Sequence, residues 1–182
     1  MLDTALFEGR LVRLAVLEEK DAASIAEWYG DAGWLRLYDG TMAIPRTTGQ
    51  IAEIIAHAAK EPTEILLGLR RIGDETLVGM AGLDGINTQH GRTSLSIAVA
   101  PSLWGRGYGR DGMELLLQFA FMELNLYRVG LTVFDYNERA IALYRSMGFV
   151  QEGVFRGFLR RDGARHDMLL MSLLVDEWKE RA

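Results

Sequence analysis

Gly105, Gly107 and Gly109 stand where a strand-like run, residues 93–100, gives way to a helix-like one. With three side chains removed, the backbone N–H groups of residues 105–110 can approach a ligand closely. The first N–H groups of a helix lack internal partners, and the helix dipole adds about half a positive charge there, so phosphate oxygens are natural occupants. Two other readings compete. Gly107-x-Gly109-x-x-Gly112 matches the dinucleotide fingerprint in its letters, and Asp135 lies near the distance for a ribose contact. That fingerprint needs its first glycine in the turn directly after the strand, whereas Ala100 to Arg106 intervene, and too little chain follows Asp135 to complete a doubly wound sheet. A purely structural turn is the remaining alternative.

Such a loop needs a frame. Before it, Leu95, Ile97 and Val99 alternate with small or hydroxyl residues, the pattern of a half-buried strand. After it, Met113, Leu116, Leu117, Ala120, Phe121 and Leu124 mark one face of a helix of about four turns. Residues 128–134 read as a strand. Asn137 can cap a short helix carrying Ala140, Ile141, Tyr144 and Met147, which Gly148 ends.

Upstream, residues 11–17 read as a strand, Asp21 as the cap of a helix to Tyr29, and residues 30–45 as aromatic and irregular. Thr47 or Thr48 starts a second helix that Pro62 stops. Residues 65–71, 76–83 and 93–100 form an antiparallel meander, and residues 149–159 and 165–174 a hairpin through Asp162-Gly163. The expected fold is α/β, a mixed sheet of about seven strands with four helices, its ligand at the strand end that feeds the glycine loop.

Composition narrows the chemistry. At 182 residues, 49% hydrophobic and with mean hydropathy near zero, the chain is expected to be one soluble domain over residues 1–182. It carries no apolar run of about 18 residues and no basic, apolar leader in MLDTALFEGR, so a cytoplasmic location without membrane contact is expected. Without cysteine there is no disulfide, zinc–thiolate site or Cys nucleophile, and no metal is expected. A formal charge of −5 and a pI near 5.3 argue against nucleic acid. Lys20, Lys60 and Lys179 are the only lysines, which removes a phosphate loop ending in GK and a mid-chain Schiff base.

Three segments together resemble the GNAT superfamily of acetyl-CoA-dependent N-acyltransferases, in the branch of ribosomal-protein N-terminal, spermidine and antibiotic acetyltransferases. They are Val99-x-Pro101-x-x-Trp104-Gly105-Arg106-Gly107-Tyr108-Gly109, Leu126-Tyr127-Arg128-Val129-x-Leu131, and Asn137-x-Arg139-Ala140-x-x-x-Tyr144-x-x-x-Gly148-Phe149. The family's loop usually leads with Gln or Arg where Trp104 stands; in this branch Trp is common. The resemblance implies that the backbone amides of Gly105, Arg106, Gly107, Tyr108 and Gly109 hold the pyrophosphate of acetyl-CoA, with Trp104 and Arg110 in the same cofactor site. It implies that the backbone of Ile97, Ala98 and Val99 pairs with the pantetheine arm where two central parallel strands splay apart. Asn137, Arg139 and Ala140 then belong to the cofactor site, and the transfer runs directly to a primary amine, a small molecule or a protein N-terminus. A homodimer is also admitted.

Each chemical role has a plainer counterpart. Asn137 serves equally as an N-cap. Tyr144 falls on an apolar stripe where an aromatic usually packs; the resemblance instead makes it the catalytic acid, since a hydroxyl of pKa about 10 can protonate the departing CoA sulfur. A base must also deprotonate the amine. Many relatives carry Glu on the strand before the loop, whereas this strand offers Thr93, Ser94 and Ser96. Asp84, His90, His166, Asp167 or a water relay are the substitutes. Arg156, Arg160, Arg161 and Arg165 read as a solvated turn or as a contact to an acidic acceptor or neighbouring subunit. Trp28, Tyr29, Trp34 and Tyr38 either line an acceptor pocket or pack the first helices.

Overall fold

The computed structural model describes residues 5–181. Strands β1 (Val12–Val16), β2 (Ile65–Arg71), β3 (Leu77–Asn87), β4 (Arg92–Val99), β5 (Arg128–Phe134), β6 (Val150–Arg161) and β7 (Ala164–Leu174) form one sheet in the order β1-β2-β3-β4-β5-β7-β6. The helices are α1 (Ala22–Trp28), α2 (Ala32–Tyr38), α3 (Thr48–Ala58), α4 (Tyr108–Gln118), α5 (Glu138–Ser146) and α6 (Val175–Lys179). All neighbours are antiparallel except β4 and β5, which the crossover through α4 makes parallel.

The helices differ from expectation in four places. Within the stretch expected to be irregular, Asp31 accepts the Trp34 N–H at 2.8 Å and starts α2. The helix after the glycine loop turns into a π-turn over Phe119–Glu123, where Leu124 N–H reaches Phe119 O. Asp21 does not cap α1; its buried carboxylate accepts the Glu18 N–H and two bonds from Arg70, at 2.9 and 2.7 Å. The carboxylate is turned back to the Glu18 amide and to a charged partner on β2, whose charge-assisted bonds are the stronger kind. With α2 and α6 added, the α-helices among the described residues number six rather than four.

Each face of the sheet buries its own core. One side packs Leu69, Leu83, Leu95 and Met171 against Met113, Leu116 and Leu117 of α4 and Ile141 of α5. The other packs Met80 and Ala98 against Ile25, Trp28, Trp34 and Ile51 of α1–α3. Each Leu, Ile or Met side chain so removed from water contributes about 1.5–3 kcal/mol. Gly112 lets α4 lie close on the sheet, since a Cβ there would come within 2.8 Å of Leu69. Asp111, buried in the first turn of α4, accepts the N–H groups of Arg10, Leu11 and Val12 at 3.1, 2.8 and 2.9 Å and ties the start of β1 to the helix. At the outer edge β6 leaves Val150, Val154, Phe155 and Phe158 exposed. No helix among the described residues is long and apolar enough to cross a membrane.

Candidate active site

The parallel pair β4–β5 is in register at Arg92 with Arg128, Thr93 with Val129 and Ser94 with Gly130, and then separates. The Ala100 N–H donates to Val78 O at 2.9 Å, which fixes the alternation along β4. Ser96 and Ala98 turn their backbone groups to β3, while Leu95, Ile97 and Val99 turn theirs toward the gap. The gap widens into a cleft of about 530 Å³. Every residue assigned to the cofactor lines it: Ile97, Ala98 and Val99, the loop from Trp104 to Arg110, and Asn137, Arg139 and Ala140, together with Tyr144. Ala98 contributes surface rather than free backbone, because it pairs with Met80.

Gly107 is the N-cap of α4 at φ +88°, a conformation that disfavours a side chain, and the N–H groups of Tyr108, Gly109 and Arg110 follow with no intrahelical acceptor. The cleft therefore has an amide-lined end beside an open strand edge. A pyrophosphate joined to an extended amide chain fits this arrangement, one part at the helix start and the other along Ile97 and Val99.

The Val99 carbonyl is engaged by the protein itself. Trp34 Nε1 and Trp104 Nε1 both donate to it at 2.9 Å, so both its lone pairs are used. The Val99 N–H and the Ile97 groups remain for a ligand. Arg139 covers the other side of Trp104, its guanidinium 3.9 Å from the ring centre. Asn137 caps α5 by accepting the Ala140 N–H at 3.3 Å and donates to Leu37 O at 3.4 Å. Its cap reading and its place in the cleft thus hold together. Tyr144 is buried against Phe149, and burial pushes its hydroxyl up to about 12. It stays protonated throughout the neutral range.

A second cavity of about 640 Å³ lies on the side of α1 and α3, lined by Tyr29, Arg46, Glu53, His57 and Glu64 among others. Tyr38, Asp84 and Ser96 line both cavities and mark where they meet. Asp84 is exposed to them, yet partial loss of water raises its carboxyl above the usual range; Glu64 raises it further, and the Ser96 hydroxyl, 3.4 Å away, opposes. Burial also raises the Tyr38 hydroxyl.

The other basic candidates are elsewhere. His90 sits in the turn after β3, bonded through its N–H to Asn87; His166 pairs with Asp135 at 3.4 Å; Asp167 accepts the Gly157 N–H at 2.7 Å. None of the three lines either cavity. The aromatic group divides between its two readings. Trp34 and Tyr38, stacked at 4.7 Å, line the cleft; Tyr29 and Tyr38 line the second cavity; Trp28 only packs. Of the arginines, Arg156 and Arg160 are exposed, Arg165 donates to Gly157 O, and Arg161 binds the backbone near α2. Arg46, Glu53, His57 and Glu64 were not singled out in the sequence. Glu53 and His57 stand on the polar face of α3, which by itself marks any solvated helix, and Arg46 and Glu64 lie in the connections on either side of it.

Known proteins resemble this chain in sequence and in fold. The model of the acetyltransferase (GNAT) domain matches residues 11–150. The uncharacterized N-acetyltransferase YoaA of Bacillus subtilis is 25% identical over 163 residues, 88% of this chain and 92% of that protein. The spermidine N(1)-acetyltransferase of Vibrio cholerae is 31% identical over 108 residues, 59% of this chain and 62% of that protein. A crystal structure of the Vibrio cholerae spermidine N-acetyltransferase in complex with CoA and spermine superposes with a TM-score of 0.84 over 92% of this chain and 98% of that one, at 24% identity, and shows the shared fold. By the domain match over most of its length, the chain belongs to the GNAT family of N-acetyltransferases.

Proposed function

We propose that residues 1–182 act as one domain that passes an acetyl group from acetyl-CoA directly to a primary amine within a ternary complex. One observation carries this reading: the cleft with the amide-lined end and the second cavity meet at Asp84, so donor and acceptor can share one carboxylate. Acetyl-CoA supplies the reaction with a thioester. The amides of residues 107–110 hold its pyrophosphate, and the Ile97 groups with the Val99 N–H orient its arm. Asp84 takes the proton from the incoming ammonium, whose ordinary pKa of about 8–10 keeps it charged at neutral pH. The raised carboxyl of Asp84 makes it a stronger base than an ordinary aspartate. Tyr144 gives its proton to the leaving sulfur.

The second cavity selects the acceptor by charge. Asp39, Glu53, Glu64 and Asp84 outnumber Arg46, so a cationic amine is drawn in, whether a polyamine, another small amine or a protein N-terminus. Release of CoA thiol, measured with wild-type protein across polyamines, peptides, aminoglycosides and amino acids, tests the reading. Thiol release with at least one class supports it; tight acetyl-CoA binding with none would convert it to a non-catalytic acyl-CoA sensor. A homodimer belongs to the same reading, supported by the exposed apolar residues Val150, Val154, Phe155 and Phe158 of the edge strand β6. A monomer mass by sedimentation at micromolar concentration would remove it.

A further inference from the structure

The last carbonyl groups of a helix have no partners within it. In α2 and the residues after it, side chains from far along the chain take them in turn. Tyr136 donates its hydroxyl to Arg36 O at 2.6 Å, and Asn137 donates to Leu37 O. Arg161, the last residue of β6, donates from one nitrogen, Nη2, to Asp39 O at 2.8 Å and to Thr41 O at 2.9 Å. Its neighbour Asp162 pairs with the Arg36 guanidinium. The segment so held matters to the second cavity, because Tyr38 lines both cavities and Asp39 lines the second.

Beyond Thr41 the chain runs without regular structure to α3, with Met42 and Ile44 exposed. A loop with little burial of its own is placed by its polar tethers. The Arg161 contacts span about 120 residues of sequence, so the tip of the final hairpin decides where this loop begins. The Nε atom of Arg161 is buried without a hydrogen-bond partner, an uncommon state for a donor. The guanidinium is therefore not used as a two-pronged fork; a single nitrogen makes both bonds.

We propose that Arg161 is a positioning residue for the amine acceptor, holding the Asp39 and Thr41 carbonyls so that Tyr38 and Asp39 stand as a wall of the second cavity. This rests on the reading of that cavity as the acceptor site. Because one nitrogen does the work, a compact ammonium can replace it, whereas an apolar chain of similar length cannot.

The test compares Arg161→Met, which keeps the packing of the stem, with Arg161→Lys. Arg161→Met should raise KM for the accepted amine about tenfold while KM for acetyl-CoA stays within about twofold. Amide hydrogen exchange should quicken about tenfold or more over residues 38–46 and stay unchanged over residues 105–110. Arg161→Lys should restore both readouts to within about threefold of wild type. Equal rises in both KM values, unchanged exchange over residues 38–46, or a lysine variant as impaired as the methionine one would each overturn the proposal. If Arg161→Met does not fold, Arg161→Gln takes its place, with exchange over residues 38–46 expected to quicken above both wild type and Arg161→Lys; exchange unchanged from wild type would overturn the proposal. Should wild-type protein acetylate no amine, the acyl-transfer reading fails, while the exchange measurement, which needs no substrate, still judges Arg161.

Discussion

The two cavities that meet at Asp84 are made of different material. The cleft is built largely from main chain: a strand whose parallel neighbour has moved away, a glycine loop and the first amides of α4. The second cavity is built from side chains on separate segments, among them Tyr29, Arg46, Glu53 and Glu64. Main-chain geometry suits what every donor molecule would have in common. A wall of side chains can be changed residue by residue without disturbing the sheet, so the same scaffold can present one donor to many acceptors.

That contrast breaks first at the junction. Asp84→Asn should lower kcat/KM by about 10²–10⁴ while acetyl-CoA affinity stays unchanged; a variant as fast as wild type would remove Asp84 from the chemistry. The wild-type rate should rise with pH as Asp84 loses its proton. This acid limb should lie above the ordinary aspartate value of about 3.9, because desolvation and then Glu64 both favour the protonated form. Tyr144, raised to about 12, imposes no alkaline loss in the neutral range. Tyr144→Phe should cut turnover by about 10² with cofactor affinity retained, measured by steady-state kinetics beside calorimetry.

The next test asks whether the cleft depends on backbone alone. Gly107→Val places a branched side chain at φ +88° and a Cβ 3.0 Å from Leu11, so acetyl-CoA should bind about tenfold more weakly, the cost of a strained residue, while KM for the amine holds. Loss of amine affinity to the same degree would show that the two cavities are one unit. Glu64→Gln should have the smallest effect: the acid limb of the rate profile moves to lower pH, since a carboxylate that raised Asp84 has gone. A limb that stays in place would assign the raised carboxyl to desolvation alone.

The same contrast explains what could be read from the letters. Glycines at a helix start, the alternation around Ile97 and Val99 and the Asn137 cap are local signals, and the residues that carry them line one cleft. Asp84 was one of several candidates, and only the tertiary arrangement set it at the meeting point of two cavities while His166 was drawn to Asp135. Helix α2 escaped notice because two turns crowded with aromatics resemble an irregular stretch; Asp31 three residues before Trp34 was its one sign. The expected cap at Asp21 yielded to Arg70, 49 residues away, and among the hairpin arginines, which read as a solvated turn or as a contact to an acidic acceptor or neighbouring subunit, Arg161 meets backbone about 120 residues distant. Long-range partners leave no periodic trace.

The shared Val99 carbonyl turns the protein into its own optical indicator. Indole emission responds to the polarity around the ring and to charged groups that quench it. Of the four tryptophans, Trp34 and Trp104 are tied to this one oxygen at the border of the cleft, and Trp104 lies under the guanidinium of Arg139. Trp178 is packed on Phe121, on the other core of the sheet, and provides a steady background. Arrival of a donor molecule that moves Arg139 or draws on the Val99 N–H would be visible as light, in unlabelled protein and before any acceptor is known.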